Sequence, residues 1–156
     1  MSQDGVYGVT MSHERVGDLL VVVHCAEPPA KDEWSRFCRA AASLRNARGE
    51  LRVLAAAGRI TAGPNAGQRS ELNSLVPREH FYAAVLCDTF AARAAVNALA
   101  LFNPNMRAFD THRIEDAVAY LQRSLTPELS QAIERMHRQL RDAGHEAGSD
   151  GTRARR

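Results

Sequence analysis

The sequence predicts an α/β fold: a mixed, mainly parallel five-stranded sheet in the order β-β-α-β-α-β-α-β-α, packed with helices, plus an extra C-terminal amphipathic helix. Three observations predict it. Short apolar runs of strand length occur at residues 18–25, 51–56 and 83–87, as expected for strands buried on both faces. Longer segments with apolar residues at helical spacing separate them. Strand–helix alternation of this kind is how parallel strands are joined.

The elements follow in order. Residues 6–10 alternate weakly and read as an edge strand, with residues 13–15 a turn or the start of a second one. Residues 18–25, DLLVVVHC, carry β-branched valines suited to a central strand, and the short gap between the two strands predicts a hairpin. Pro28 and Pro29 break the chain before a helix over 31–47. Asp32 and Glu33 occupy its first turn, where the helix dipole favours acids. Trp34, Phe37, Cys38, Ala41 and Leu44 form its apolar stripe, with Arg36, Arg39 and Arg45 largely off it. A strand over 51–56 leads into the flexible loop AGRITAGP. Asn65 then caps a helix over 66–76, with Gln68 placed as a capping box requires, and Pro77 stops it.

Residues 83–109 form the best-punctuated stretch. The strand over 83–87 meets Asp88 and Thr89, whose side chains can accept from the free N–H groups of a helix start. An Ala- and Leu-rich helix over 90–102 ends at Asn103-Pro104, and a short strand occupies 106–109. Asp110 or Thr111 caps the next helix, with Ile114, Ala117, Val118 and Leu121 on one face. Thr126 and Pro127 open the last helix, whose narrow stripe is Leu129, Ile133, Met136 and Leu140. Gly144 is expected to end it. The expected organisation is a domain over 1–122, a C-terminal amphipathic helix over 123–144 and a disordered tail over 145–156.

Composition narrows the function classes. At 156 residues, 45% hydrophobic and 24% charged, the chain reads as one ordinary globular domain. A net charge of +2 is too small to imply nucleic acid. Lys31 is the only lysine, so the cationic surface is nearly all arginine, whose planar fork suits carboxylates and phosphates. The three cysteines, Cys25, Cys38 and Cys87, form no CxxC pair and read as small buried hydrophobes in a reducing, cytoplasmic setting. No membrane span and no leader are read from the sequence. The six histidines, at 13, 24, 80, 112, 137 and 145, show no metal-ligand spacing, so neither a metal nor a cofactor is expected. His24 and Asp88 both fall late in or just after strands and can reach one sheet edge, yet no GxSxG elbow accompanies them, and the chain is expected to be non-catalytic.

The element order, with DEWSRF at 32–37, VLCDT at 85–89 and the stretch 102–121, resembles the STAS domain, named for sulfate transporters and anti-sigma-factor antagonists, and within it the bacterial STAS/Sec14-type antagonist-like proteins. The resemblance covers about residues 5–122. It implies a non-catalytic, cytoplasmic, regulatory protein–protein interaction module. In the family a regulated Ser or Thr follows an Asp where the third strand meets the next helix. Here AAAGRITAGPN stands there without an Asp-Ser, and the family's regulated position is carried over to neither Thr61 nor Ser70.

The expected partner face is the glycine-containing loop and the helix start after it: Gly58, Arg59, Thr61, Asn65 and Arg69. The partner is a protein, with homo-oligomerisation through the C-terminal helix a further option. The Sec14-type relatives imply an alternative, a small-molecule or lipid-binding module, which requires an apolar cavity between sheet and helices.

Overall fold

The computed structural model describes residues 5–25, 27–46, 48–59 and 63–149, with side chains as far as residue 143. Its α/β architecture is one sheet whose six strands lie side by side in chain order: β1 (Gly5–Val6), β2 (Met11–Val16), β3 (Leu19–His24), β4 (Leu51–Gly58), β5 (Phe81–Cys87) and β6 (Met106–Asp110). The first three pair antiparallel and β3 to β6 pair parallel. Five α-helices accompany them: α1 (Lys31–Ser43), α2 (Ala66–Leu75), α3 (Phe90–Ala100), α4 (Ile114–Tyr120) and α5 (Pro127–Ser149).

Sequential parallel strands joined by crossovers of one hand place every crossover helix on one face. Side chains of α1, α2 and α3 accordingly share a core with Leu20, Val22, Val53 and Ala83. The opposite face, with Leu19, Val21, Leu54 and Leu86, packs under α4 and α5. The result is three layers around a two-sided sheet.

The sheet has six strands, not the expected five. The expected first strand over residues 6–10 is replaced by the two-residue β1, and the polar segment MSHERV becomes β2, paired with β3 along its whole length from Met11↔His24 to Val16↔Leu19. Its polar side chains conceal a buried strand because each face supplies partners. His13 stands edge-on to Phe37 at 6.0 Å, and Glu14 meets Arg135 of α5 at 2.7 Å. The link before β2 is tied to α1 by Glu33, whose carboxylate accepts from the backbone N–H groups of Val9, Thr10 and Met11 and from the Thr10 hydroxyl. Burial alone raises the carboxyl pKa, but these hydrogen bonds outweigh it and hold Glu33 below its ordinary value.

On the second face, Arg52 is buried but satisfied. It donates to the Leu121 carbonyl at 3.0 Å, to Glu50 at 2.8 Å and to Gln122 at 3.1 Å, and stacks 5.0 Å from the Tyr82 ring centre. Helix α5 starts as its sequence directs, with the Thr126 hydroxyl accepting from Leu129 N–H at 3.2 Å and Pro127 in the first position. It then continues past Gly144, which was expected to end it, to Ser149, so residues 145–149 are helical rather than tail. One glycine costs a helix only about 1 kcal/mol, and no proline follows to stop it.

Leu129, Ala132, Ile133, Met136 and Leu140 of α5 are buried against the sheet, so the helix closes this core. Met136 is fully buried. Met136→Ala is expected to remove about 2–4 kcal/mol of stability through lost contacts and a cavity. Urea denaturation measures it, and a loss below about 0.5 kcal/mol would show that α5 is not part of the cooperative core.

Candidate functional site

The helix-covered faces differ in how well they fill. On the α1–α3 face, β4 and β5 present Ala55, Ala57 and Ala83 where a packed core calls for larger side chains. Helix α2 does not descend into the space. It rests on α1, held by the Trp34 indole N–H donating to the Gln68 carbonyl at 2.9 Å and by the Gln68 side-chain amide donating to the Pro29 carbonyl at 2.9 Å. Only Leu72 of α2 is buried. Helix α3 packs instead on β5 and β6. Between α2 and α3 lies a groove of about 910 Å³, within the size range of small-molecule sites.

The groove runs along the strands. Val22, Ala55, Ala57, Ala83 and Val85 form its floor, and Leu72, Ala95, Val96 and Leu99 its walls. At the carboxyl edge of the sheet it ends at His24, Pro29, Asn65 and Arg69; at the amino edge it ends at Arg78, Phe102 and Asn103. None of the described side chains lining it is an aspartate or glutamate. Arg69 donates to the Pro64 carbonyl at 2.7 Å and Arg78 to the Phe102 carbonyl at 3.3 Å; among the described residues neither pairs with a carboxylate.

Among the described residues lining the groove, His24 carries a buried polar atom out of balance. It closes β3 on the groove side, its Nδ1 is shut off from solvent, and that atom has no hydrogen-bond partner in the protein. Burial pushes its pKa from the ordinary 6.5 down to about 4, so the imidazole is neutral at physiological pH. An unsatisfied buried nitrogen of this kind is destabilising unless something else bonds it.

A second depression, of about 280 Å³, sits over the carboxyl ends of β4, β5 and β6 and is lined by Arg59, Asp88, Asp110, Thr111 and His112. Here the polar groups satisfy one another. The Thr111 hydroxyl donates to Asp88, Arg93 meets Asp110 at 3.1 Å, and His112 N–H donates to Asp110 at 2.9 Å. The His112 N–H, and after it the Arg93 charge, hold the Asp110 carboxyl below its usual range. Among the described residues no group of three or more His, Cys, Asp or Glu side chains is placed to hold a metal ion.

The expected partner-binding residues are divided between these two places. Gly58, with φ +57°, accepts from Asp88 N–H at 2.7 Å, and Arg59 lines the polar depression. Asn65 and Arg69 line the groove, and Asn65 forms the expected capping box with Gln68. Thr61 lies outside the described residues. Sequence reasoning missed the groove itself and Trp34, Ala95 and Arg78 along it. The only local signal was the run of small residues late in the β4 and early in the β5 segments. Among the described residues no helix is long and apolar enough to cross a membrane. No family model, curated protein or solved structure matches this chain.

The His24 shift makes a pH prediction. A base whose folded pKa is depressed is protonated more readily in the unfolded chain. Its stability contribution is therefore complete above 6.5 and is lost as pH falls through about 4. His13 and His137, also lowered by burial, act in the same direction. His24 alone is expected to contribute about 3 kcal/mol to the loss over that range. In urea denaturation at a series of pH values, His24→Phe should flatten the profile; an unchanged profile would show that His24 is not buried neutral.

Proposed function

We propose that this chain is a non-catalytic binding module whose ligand is a small, largely apolar molecule held in the groove between α2 and α3. One observation carries the reading: a groove of about 910 Å³ with an alanine floor lies between the sheet and its helices. Burying apolar ligand surface there supplies the affinity, at roughly 25 cal/mol per Å² removed from water. The polar groups at the two ends set orientation. This is the small-molecule or lipid-binding alternative that the STAS/Sec14 resemblance implied, and the resemblance itself enters as part of the proposal.

Trp34 is the only tryptophan and lines the groove, so its emission reports occupancy. Titration with dodecanol is expected to give a saturable change. Ala95→Phe, which adds a ring to a half-buried position on the groove wall, is expected to weaken binding about tenfold, or about 1.4 kcal/mol. A linear, non-saturating response, or equal affinity in the variant, would count against the groove as the site.

A second reading, a STAS-like regulatory scaffold that captures a protein, is favoured by one feature. Leu101 and Phe102 are 84% and 70% exposed at the end of α3, beyond what scattered surface apolars explain when two are adjacent. The face expected from the sequence lies at the opposite edge, so the two are tested apart: Leu101→Glu with Phe102→Glu abolishes capture of the partner from the native cell if the exposed pair is the contact, and Arg59→Glu with Arg69→Glu abolishes it if the loop and helix start are. Retention of the partner by that double variant removes the loop-and-helix face from consideration.

A further inference from the structure

Resting on the groove reading, we infer that the ligand is an anionic amphipath: a single acyl chain whose carboxylate sits at the carboxyl-edge end, held by Arg69 beside His24, with the tail running toward Phe102. The charge of the walls points to the class. Arg69 and Arg78 lie along the groove with no acid opposite them among the described residues. A cationic head finds no partner there, and a neutral one leaves the guanidinium groups unused. A carboxylate matches an arginine through paired charge-assisted hydrogen bonds.

The ends of the groove are not equivalent, and three features place the head. First, the unpartnered Nδ1 of His24 is at the carboxyl edge. A neutral imidazole offers one N–H and one lone pair, so it can donate to a carboxylate without bringing a charge of its own. Second, α2 and α3 both begin at this edge and end at the other, so their dipoles make the carboxyl edge positive and the amino edge negative. Third, Arg78 already donates to the Phe102 carbonyl beyond the end of α3, a helix terminus that favours a cation, whereas Arg69 donates to a loop carbonyl and lies in the second turn of α2. Phe102 at the amino-edge end gives the tail an apolar exit.

The test compares three probes with the same tail on the full chain at neutral pH, each below its micelle concentration, followed by Trp34 emission: dodecanoate, dodecanol and dodecyltrimethylammonium. Dodecanoate is expected to bind about tenfold more tightly than dodecanol, and the cation more weakly than either. Arg69→Gln, at an exposed position, should abolish the preference for dodecanoate over dodecanol, while Arg78→Gln preserves the preference. Equal binding of the three probes, or tighter binding of the cation, overturns the anionic class and leaves the groove reading standing. Loss of the preference in Arg78→Gln but not in Arg69→Gln overturns the placement of the head. Failure of all three to bind overturns the groove reading itself.

Discussion

The hydrogen bond from the Trp34 indole to the Gln68 carbonyl decides the shape of one side of this molecule. A buried indole N–H needs an acceptor, and here it takes one from the first turn of α2. Gln68 completes the clasp by donating to Pro29 and by closing the capping box with Asn65. The helix is thereby fixed to α1 from its first turn. It cannot follow the hydrophobic effect down onto Ala55 and Ala83, and the small size of those residues leaves the space open beneath it. The clasp and the alanines work together. Larger side chains on the floor would fill the groove, and a free α2 would collapse into it.

The other face shows what full packing looks like on the same strands. Leu54, Ala84 and Leu86 alternate with the groove residues along β4 and β5 and share a core with Leu121, Met136 and Ile133. Even its buried charge, Arg52, is matched by a carbonyl, a carboxylate, an amide and an aromatic face. Both faces bury extensive apolar clusters, and the α2–α3 side in addition keeps an open groove.

What could be read from the sequence was what depends on neighbours along the chain. The Asn65–Gln68 capping box, the Thr126-Pro127 helix start and the Thr89 cap span a few residues each, and all are present. The parallel centre of the sheet followed from apolar runs alternating with segments of helical spacing. Strand β2 was hidden because its buried polar residues are satisfied by residues far away: Glu14 by Arg135, His13 by packing on Phe37. The groove was hidden for the same reason. It depends on Trp34 reaching Gln68 and on alanines of two different strands falling in register, Ala55 opposite Val85 and Ala83 opposite Val53. Of the residues expected to act as one face, Arg59 lines one depression while Asn65 and Arg69 line the other, although all three are near neighbours in sequence.

The carboxyl edge of the sheet concentrates the starts of α1, α2 and α3, so backbone dipoles alone make it positive. Along β5 and β6 that field is answered. Asp88 and Asp110 stand there, and their charges are absorbed by Thr111, Arg93 and His112. Along β3 and β4 no acid of the groove answers it, and Arg69 adds to it. His24 stands at the same edge, and burial holds it neutral. One edge thus carries two depressions of opposite character. In one the charges cancel; in the other, at the mouth of an apolar groove, the positive field is left open, which is the basis for proposing an anionic head group there.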